Sequence, residues 1–154
     1  AIPRPTRFVM YHKIFDIPGM NIVFRATRAI PIAGAKENAE LMEQAFAAID
    51  VALAQGELVC IFPEGGLTDD GEIAPFRKGV ERILATRPVP VIPMALRGMW
   101  ASMWSKRDSR LRRMRVPRRF RAPVELVLEA PMPPAHASAQ VLEARVRELR
   151  GDAR

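Results

Sequence analysis

The sequence predicts an α/β fold in which a mixed, layered sheet is flanked by helices. Short apolar runs alternate with stretches of helical periodicity along the 154 residues. Two of these runs, residues 58–62 and 89–96, contain no charged residue, which is typical of parallel strands covered on both faces. A composition of 49% hydrophobic and 27% charged residues suits one globular domain over residues 1–154 with a sizeable core.

The first predicted elements are two short strands separated by helical segments. Arg7-Phe-Val-Met has the apolar character of a strand, and a turn or short helix is expected around residues 11–16. Pro18-Gly19 begins a helical stretch that ends near Arg28. Ala29-Ile-Pro-Ile predicts an edge strand, because proline cannot donate a backbone hydrogen bond to a neighbouring strand.

The strongest local signal predicts a helix from Glu37 to Gln55. Its apolar residues recur at helical spacing, and they are Leu41, Met42, Ala45, Phe46, Ile49, Ala52 and Leu53. Acidic residues in the first turns suit the positive end of the helix dipole, and Gly56 is a natural stop. Residues 58–62 then predict a fully buried strand, in which apolar neighbours raise the pKa of Cys60 and leave the thiol inert.

The remaining predicted elements continue this alternation. They are a loop over residues 63–77, a helix over 78–87, a buried strand over 89–96, a short helix over 99–104, a half-exposed strand over 124–129, and a last helix that begins at the N-cap Ser138 and stops at Gly151.

The positive charge is concentrated in one segment. Residues 97–121 contain ten basic residues and one acidic residue, a net charge of +9, whereas the whole chain carries +7. Such a segment indicates an anionic partner, either a phospholipid surface, a nucleic acid or an acidic protein, although basic runs are also often solvated surface without a partner.

The loop over residues 63–77 is the predicted ligand site. Loops at the carboxyl ends of strands line the ligand crevice of α/β sheets. Glu64 stands at the strand tip, and Gly65 and Gly66 let a ligand approach the backbone. Arg77 and Lys78 stand at the N-terminus of a predicted helix. Two cations beside a helix N-terminus form a suitable site for an anion. The alternative is a glycine-rich turn in which Glu64 only pairs with Arg77.

Three sequence blocks in this order resemble the glycerolipid acyltransferase family. The blocks are Phe62-Pro-Glu-Gly-Gly, Phe76-Arg-Lys-Gly and Val89-Pro-Val-Ile-Pro-Met-Ala-Leu. The resemblance covers roughly residues 7–98, because the segment from Phe15 to Ile32 also matches. It looks closest to the subgroup that is sometimes fused to a transporter of the major facilitator type and that acylates lysophospholipids.

The resemblance implies a glycerol-3-phosphate acyltransferase-like fold and a role in phospholipid biosynthesis or remodelling. Such an enzyme transfers a fatty acyl group from acyl-CoA or acyl-carrier protein, as co-substrate, to the hydroxyl of a lysophospholipid or acylglycerol phosphate. In the family a histidine and an aspartate separated by four residues activate that hydroxyl, as in the serine hydrolase triad. The Glu-Gly block and an arginine from the preceding block bind the glycerol phosphate.

The chain departs from the family at the general base. Three residues, not four, separate His12 from Asp16, and Val141 stands where His136 would need an aspartate. The motif is therefore expected upstream of Ala1, which makes this a C-terminal, N-terminally incomplete and inactive part of the domain, with His12 in a structural role. The family's arginine after the Ile-Pro-Ile strand is also missing, and Arg25, Arg28 or Lys36 are its candidate substitutes. The alternative is a lipid- or anion-binding relative without chemistry.

The basic segment begins beside two tryptophans. The predicted membrane contacts are Trp100, Trp104, Arg107, Arg110, Arg112 and Arg113, because aromatic and cationic side chains suit the lipid headgroup zone. The alternatives are tryptophans that fill the core and a nucleic-acid-binding basic module, but no RNA- or DNA-binding signature accompanies the run. We expect a domain at the cytoplasmic side of the inner membrane, peripheral or tethered through a missing N-terminal region, with no nucleic acid partner.

No cofactor or metal site is expected. One cysteine and two distant histidines provide no ligand spacing for a metal ion. The single cysteine also cannot form an intrachain disulfide, which suits a reducing compartment.

Overall fold

A computed structural model describes residues 4–17, 24, 26–66, 71–98 and 124–151. The chain divides into two compact units. The first contains Ala1–Phe62 and Arg82–Val89, and the second contains Pro63–Glu81 and Pro90–Arg154. The single domain over residues 1–154 stays a prediction.

The first unit contains a parallel sheet of three strands in the order β2-β1-β3. Strand β1 is Thr6–Tyr11, β2 is Ile30–Ile32 and β3 is Leu58–Cys60. In this sheet β1 is central, and β2 lies at one edge with Pro31 opposite Met10. The predicted edge strand is therefore confirmed. A short 3-10 helix, His12–Asp16, follows β1 as expected.

Helix α1, Ala39–Ala54, packs on this sheet and forms the core of the first unit. The Asn38 side chain accepts a hydrogen bond of 2.9 Å from the Leu41 N–H, so the helix begins two residues later than predicted. It ends before Gly56, whose φ of +75° is of the left-handed kind that glycine tolerates. Ile49 is 1% exposed among Val9, Ile30 and Ala45.

The prediction of a fully buried strand over residues 58–62 is wrong. Strand β3 ends at Cys60, its residues are half-buried, and Phe62 is 53% exposed. The reason is that α1 packs against the face that carries Val9. Successive strand residues point to opposite faces, so Phe8 and its neighbour Cys60 lie on the other face, where Phe8 is 40% exposed.

The second unit contains an antiparallel pair covered by a helix. Strand β4 is Met94–Arg97 and β5 is Glu125–Leu128. The terminal helix is Ala139–Arg150, capped by Ser138, whose hydroxyl accepts from the Val141 N–H at 3.2 Å. This predicted helix and its stop at Gly151, with φ +58°, are confirmed.

The prediction of a buried strand over residues 89–96 is also wrong. Pairing begins only at Met94, preceded by a single bridge between Val91 and Met132, and Leu96 is 40% exposed. Pro90 and Pro93 lack the N–H groups that a continuous ladder needs. The half-exposed strand predicted over residues 124–129 is confirmed as β5.

The helix predicted over residues 78–87 is confirmed as α2, Gly79–Thr86, which makes the terminal helix α3. In the first unit, Arg87 pairs with Asp50 of α1 at 2.6 Å, and Arg82 pairs with Glu43. The other two predicted helices, over residues 18–28 and 99–104, lie wholly or mostly outside the described residues. None of the described helices has the length and apolar character that a membrane span requires.

Candidate functional site

The two ends of the predicted ligand loop lie side by side in the second unit. The Arg77 N–H donates a hydrogen bond of 2.8 Å to the Pro63 carbonyl. The Glu64 carboxylate accepts a hydrogen bond of 2.8 Å from the Ala74 N–H. The sequence places these partners 14 and 10 residues apart, so the fold brings the two ends of the loop together. The first block, around Glu64, thereby adjoins the second block, around Arg77.

Gly65 and Arg77 are packed against each other. Gly65 has φ +68°, and a Cβ atom on it would lie only 2.5 Å from Nε and 2.8 Å from Cζ of Arg77. By contrast, a Cβ on Gly66 would meet nothing within 4 Å. A side chain at position 65 would therefore displace the Arg77 guanidinium. This contact is a structural reason for glycine at position 65.

The predicted anion-binding cations are exposed and available. Among the residues that the structure describes, neither the Arg77 nor the Lys78 side chain has a hydrogen-bonding or ion-pair partner. Both immediately precede α2, whose first N–H groups favour an anion. The alternative in which Glu64 pairs with Arg77 does not occur, because Glu64 bonds the Ala74 N–H instead. The arrangement can hold a phosphate group.

A second polar cluster, which the sequence analysis missed, surrounds Glu37 in the first unit. Its Oε1 accepts from the Tyr11 hydroxyl at 2.8 Å, lies 3.2 Å from His12 Nε2 and pairs with Lys13 Nζ at 2.8 Å. The donor from Lys13 lowers the pKa of Glu37 most, followed by those from Tyr11 and His12, to about 2. His12 thus has a carboxylate partner, but Glu37 rather than Asp16.

The titration of Glu37 tests this cluster. We expect the pKa of Glu37 to be about 2, against an ordinary value of 4.5, and to rise towards 4.5 in Lys13→Ala. A lowered pKa means that the stabilisation by Glu37 is fully present above pH 4.5 and is lost as the pH falls towards 2. Carboxyl NMR titration measures the value, and Lys36→Ala is the matched control because Lys36 has no ion-pair partner among the described residues. An unchanged titration in Lys13→Ala would contradict the assignment.

The candidate substitutes for the missing family arginine differ in availability. Arg28 pairs with Glu57 at 2.7 Å, and the same carboxylate also binds Arg7. Lys36 is exposed, and Arg25 lies outside the described residues. Arg28 is therefore committed to a structural ion pair that holds the start of β1 near the start of β3.

The other candidate groups among the described residues add no site. Burial raises the pKa of the Cys60 thiol, as expected, although the residue is only half-buried. Within the described ranges, no three side chains of histidine, cysteine, aspartate or glutamate lie close enough to hold a metal ion. A cavity of about 240 Å³ in the first unit is lined by Phe46, Arg82 and Arg87, but both guanidiniums already bind carboxylates. The predicted membrane contacts from Trp100 to Arg113 lie outside the described residues.

Comparison with known proteins finds acyltransferases. The sequence model of the Acyltransferase family matches residues 1–97, which include all three sequence blocks. A 1-acyl-sn-glycerol-3-phosphate acyltransferase of Chlamydomonas reinhardtii is 33% identical over 92 residues, 60% of this chain and 25% of the relative. A chloroplastic enzyme of the same name from Brassica napus is 46% identical over 44 residues, 29% of this chain and 13% of the relative.

A solved structure shows the same fold. The 1-acyl-sn-glycerophosphate acyltransferase PlsC of Thermotoga maritima superimposes with a TM-score of 0.64 at 20% identity. The match covers 94% of this chain and 55% of that protein. The matched part of this chain spans a quarter or less of the two curated relatives named above.

Proposed function

From the premise that this chain belongs to the glycerolipid acyltransferase family, we propose that it binds the phosphate of a 1-acylglycerol 3-phosphate or a related lysophospholipid. The observation that supports this most directly is the guanidinium of Arg77, which lies across Gly65 beside the N-terminus of α2 and has no partner in the described part of the chain. Arginine matches the geometry of phosphate oxygens through two parallel hydrogen bonds, and Lys78 adds a second charge.

The proposed reaction is transfer of a fatty acyl group from acyl-CoA or acyl-carrier protein. The lysophospholipid hydroxyl oxygen attacks the thioester carbonyl, a C–O bond forms, the C–S bond breaks, and the thiol leaves with the hydroxyl proton. In this scheme Arg77 and Lys78 hold the headgroup, Gly65 leaves room for the Arg77 guanidinium, and Glu64 fixes the loop through Ala74. Neither histidine stands in a His-x4-Asp spacing, so the proposal assigns no general base to this chain.

The test compares headgroups at constant membrane charge. The purified 154-residue chain is expected to bind vesicles of phosphatidylcholine with 10 mol% lysophosphatidic acid more tightly than vesicles matched in surface charge with phosphatidylserine. The matched charge removes the contribution of the basic segment, which acts on any anionic surface. With acyl-CoA present, no free CoA is expected.

Two outcomes would contradict the proposal. Equal binding to both vesicle types would show that the chain does not recognise the headgroup. Release of CoA with formation of phosphatidic acid would show that this chain contains its own general base. An oligonucleotide that displaced the chain from both vesicle types would favour the nucleic-acid alternative. This competition is measured at two salt concentrations, because counterion release makes nucleic-acid binding strongly salt-dependent.

A further inference from the structure

The terminal helix α3 holds the second half of the ligand loop along one of its faces. Glu143, Arg147 and Arg150 are spaced by four and three residues, so their side chains lie on the same side of the helix. Each contacts residues 71–76 within the second unit. None of the three has a role that the sequence predicts.

Of these three side chains, Glu143 binds the loop at the position closest in sequence to Arg77 and Lys78. Its Oε2 accepts a hydrogen bond of 2.9 Å from the Phe76 N–H, which immediately precedes Arg77. Its Oε1 accepts from Arg147 Nε at 3.1 Å. The Phe76 N–H, and then Arg147, hold the pKa of Glu143 below its ordinary value, so the charged form makes these contacts at neutral pH.

The two arginines hold the chain before Phe76. Arg147 donates a hydrogen bond of 2.6 Å to the Ile73 carbonyl. Arg150 donates one of 2.9 Å to the Gly71 carbonyl and pairs with Glu72 at 2.7 Å. Backbone carbonyls in a loop have no ladder partner, so these guanidiniums supply the hydrogen bonds that fix its path.

A further contact lies on the other side of the cations. The Glu81 carboxylate, in the first turn of α2, accepts a hydrogen bond of 2.9 Å from the Ala139 N–H at the start of α3. Helix α3 therefore binds the chain both before and after Arg77 and Lys78. These flanking contacts fix the stretch of backbone from which the two cationic side chains extend.

We propose that Glu143 is a positioning residue, which orients Arg77 for the substrate phosphate through the Phe76 N–H. This inference rests on the proposed function of Arg77. It gives α3, which lies beyond the part of the chain that the family match covers, a defined role in headgroup binding.

The experiment is a double-mutant cycle on the full 154-residue chain, read by calorimetric titration with 1-hexanoyl-glycerol 3-phosphate. Glu143→Ala is expected to weaken binding about 10-fold, as for loss of one charge-assisted hydrogen bond. Glu143→Gln is expected to bind nearly as the wild type, because the amide oxygen still accepts from Phe76. In the Arg77→Ala background, Glu143→Ala should have no further effect, since contacts that act through one group are not additive.

The control is Glu148→Ala on the same helix, because Glu148 is 74% exposed and, within the described ranges, pairs with Arg145 alone. Its binding should be unchanged. If Glu143→Ala does not fold, Glu143→Met, which keeps the chain length without an acceptor, takes its place in the cycle. Wild-type affinity in Glu143→Ala or Glu143→Met, or full additivity with Arg77→Ala, would overturn the positioning role. Wild-type affinity in Arg77→Ala would instead overturn the proposed function.

Discussion

Replacing Arg77 by alanine is expected to weaken the binding of 1-hexanoyl-glycerol 3-phosphate by about 30- to 150-fold. Two parallel hydrogen bonds from the guanidinium to a phosphate are expected to contribute roughly 2–3 kcal/mol together, which corresponds to that change in affinity. Arg77→Lys should recover part of the loss, because an ammonium keeps the charge but cannot form two parallel hydrogen bonds. Calorimetric titration of the 154-residue chain measures each dissociation constant.

The matched control for Arg77→Ala is Arg145→Ala. Arg145 is an exposed arginine of the second unit that pairs with Glu129 and Glu148, so its removal lowers the net charge equally without touching the loop. We expect its affinity to stay within about twofold of the wild type, as for a surface charge. An equal loss in both variants would mean that the ligand responds only to net charge, which would contradict a specific site at Arg77.

The helices could be predicted from the sequence because their signals are local. Apolar spacing identified α1, and Gly56 and Gly151 stand where the backbone takes a positive φ that favours glycine. Ser138 stands where a hydroxyl can accept from the N–H three residues later. Each of these signals lies within one helix or at its ends, so no knowledge of the tertiary fold was needed.

The burial of the strands could not be predicted in the same way. A run such as Leu58-Val-Cys-Ile-Phe shows that both faces are apolar, but not which of them another element covers. In the first unit α1 packs on the Val9 face, which leaves Phe8 40% exposed. The sequence pattern therefore identified the strand and overestimated its burial.

The candidate site was predictable only in part, for a related reason. Glu64, Gly65 and Arg77 belong to sequence blocks that predict an anion-binding loop. Glu143 bonds Phe76 across 67 positions of the chain, and Glu37 reaches Tyr11 across 26. Before the fold is known, each is one acidic residue among several in or beside a helix. Only the packing of α3 and the path of β1 select these two.

Replacing Gly65 by alanine is expected to lower the affinity for 1-hexanoyl-glycerol 3-phosphate by about 30-fold or more, close to the effect of removing Arg77 itself. The new Cβ would lie 2.5 Å from Nε and 2.9 Å from Cδ of Arg77, so the guanidinium must move away. The positive φ of 68° adds strain, which costs about 1–2 kcal/mol of stability for a residue with a side chain. Calorimetric titration and thermal unfolding of the same preparation separate the two effects.

Gly66→Ala is the matched control, because it makes the same chemical change one residue further along in the same exposed turn. A Cβ there meets nothing within 4 Å, and the residue has no positive φ. We therefore expect affinity within about twofold of the wild type and slightly higher stability, since alanine has fewer unfolded conformations than glycine. If Gly66→Ala lost affinity as much as Gly65→Ala, the ligand would be approaching the bare backbone of both glycines. The placement of Arg77 across Gly65 would then not be what fixes the phosphate.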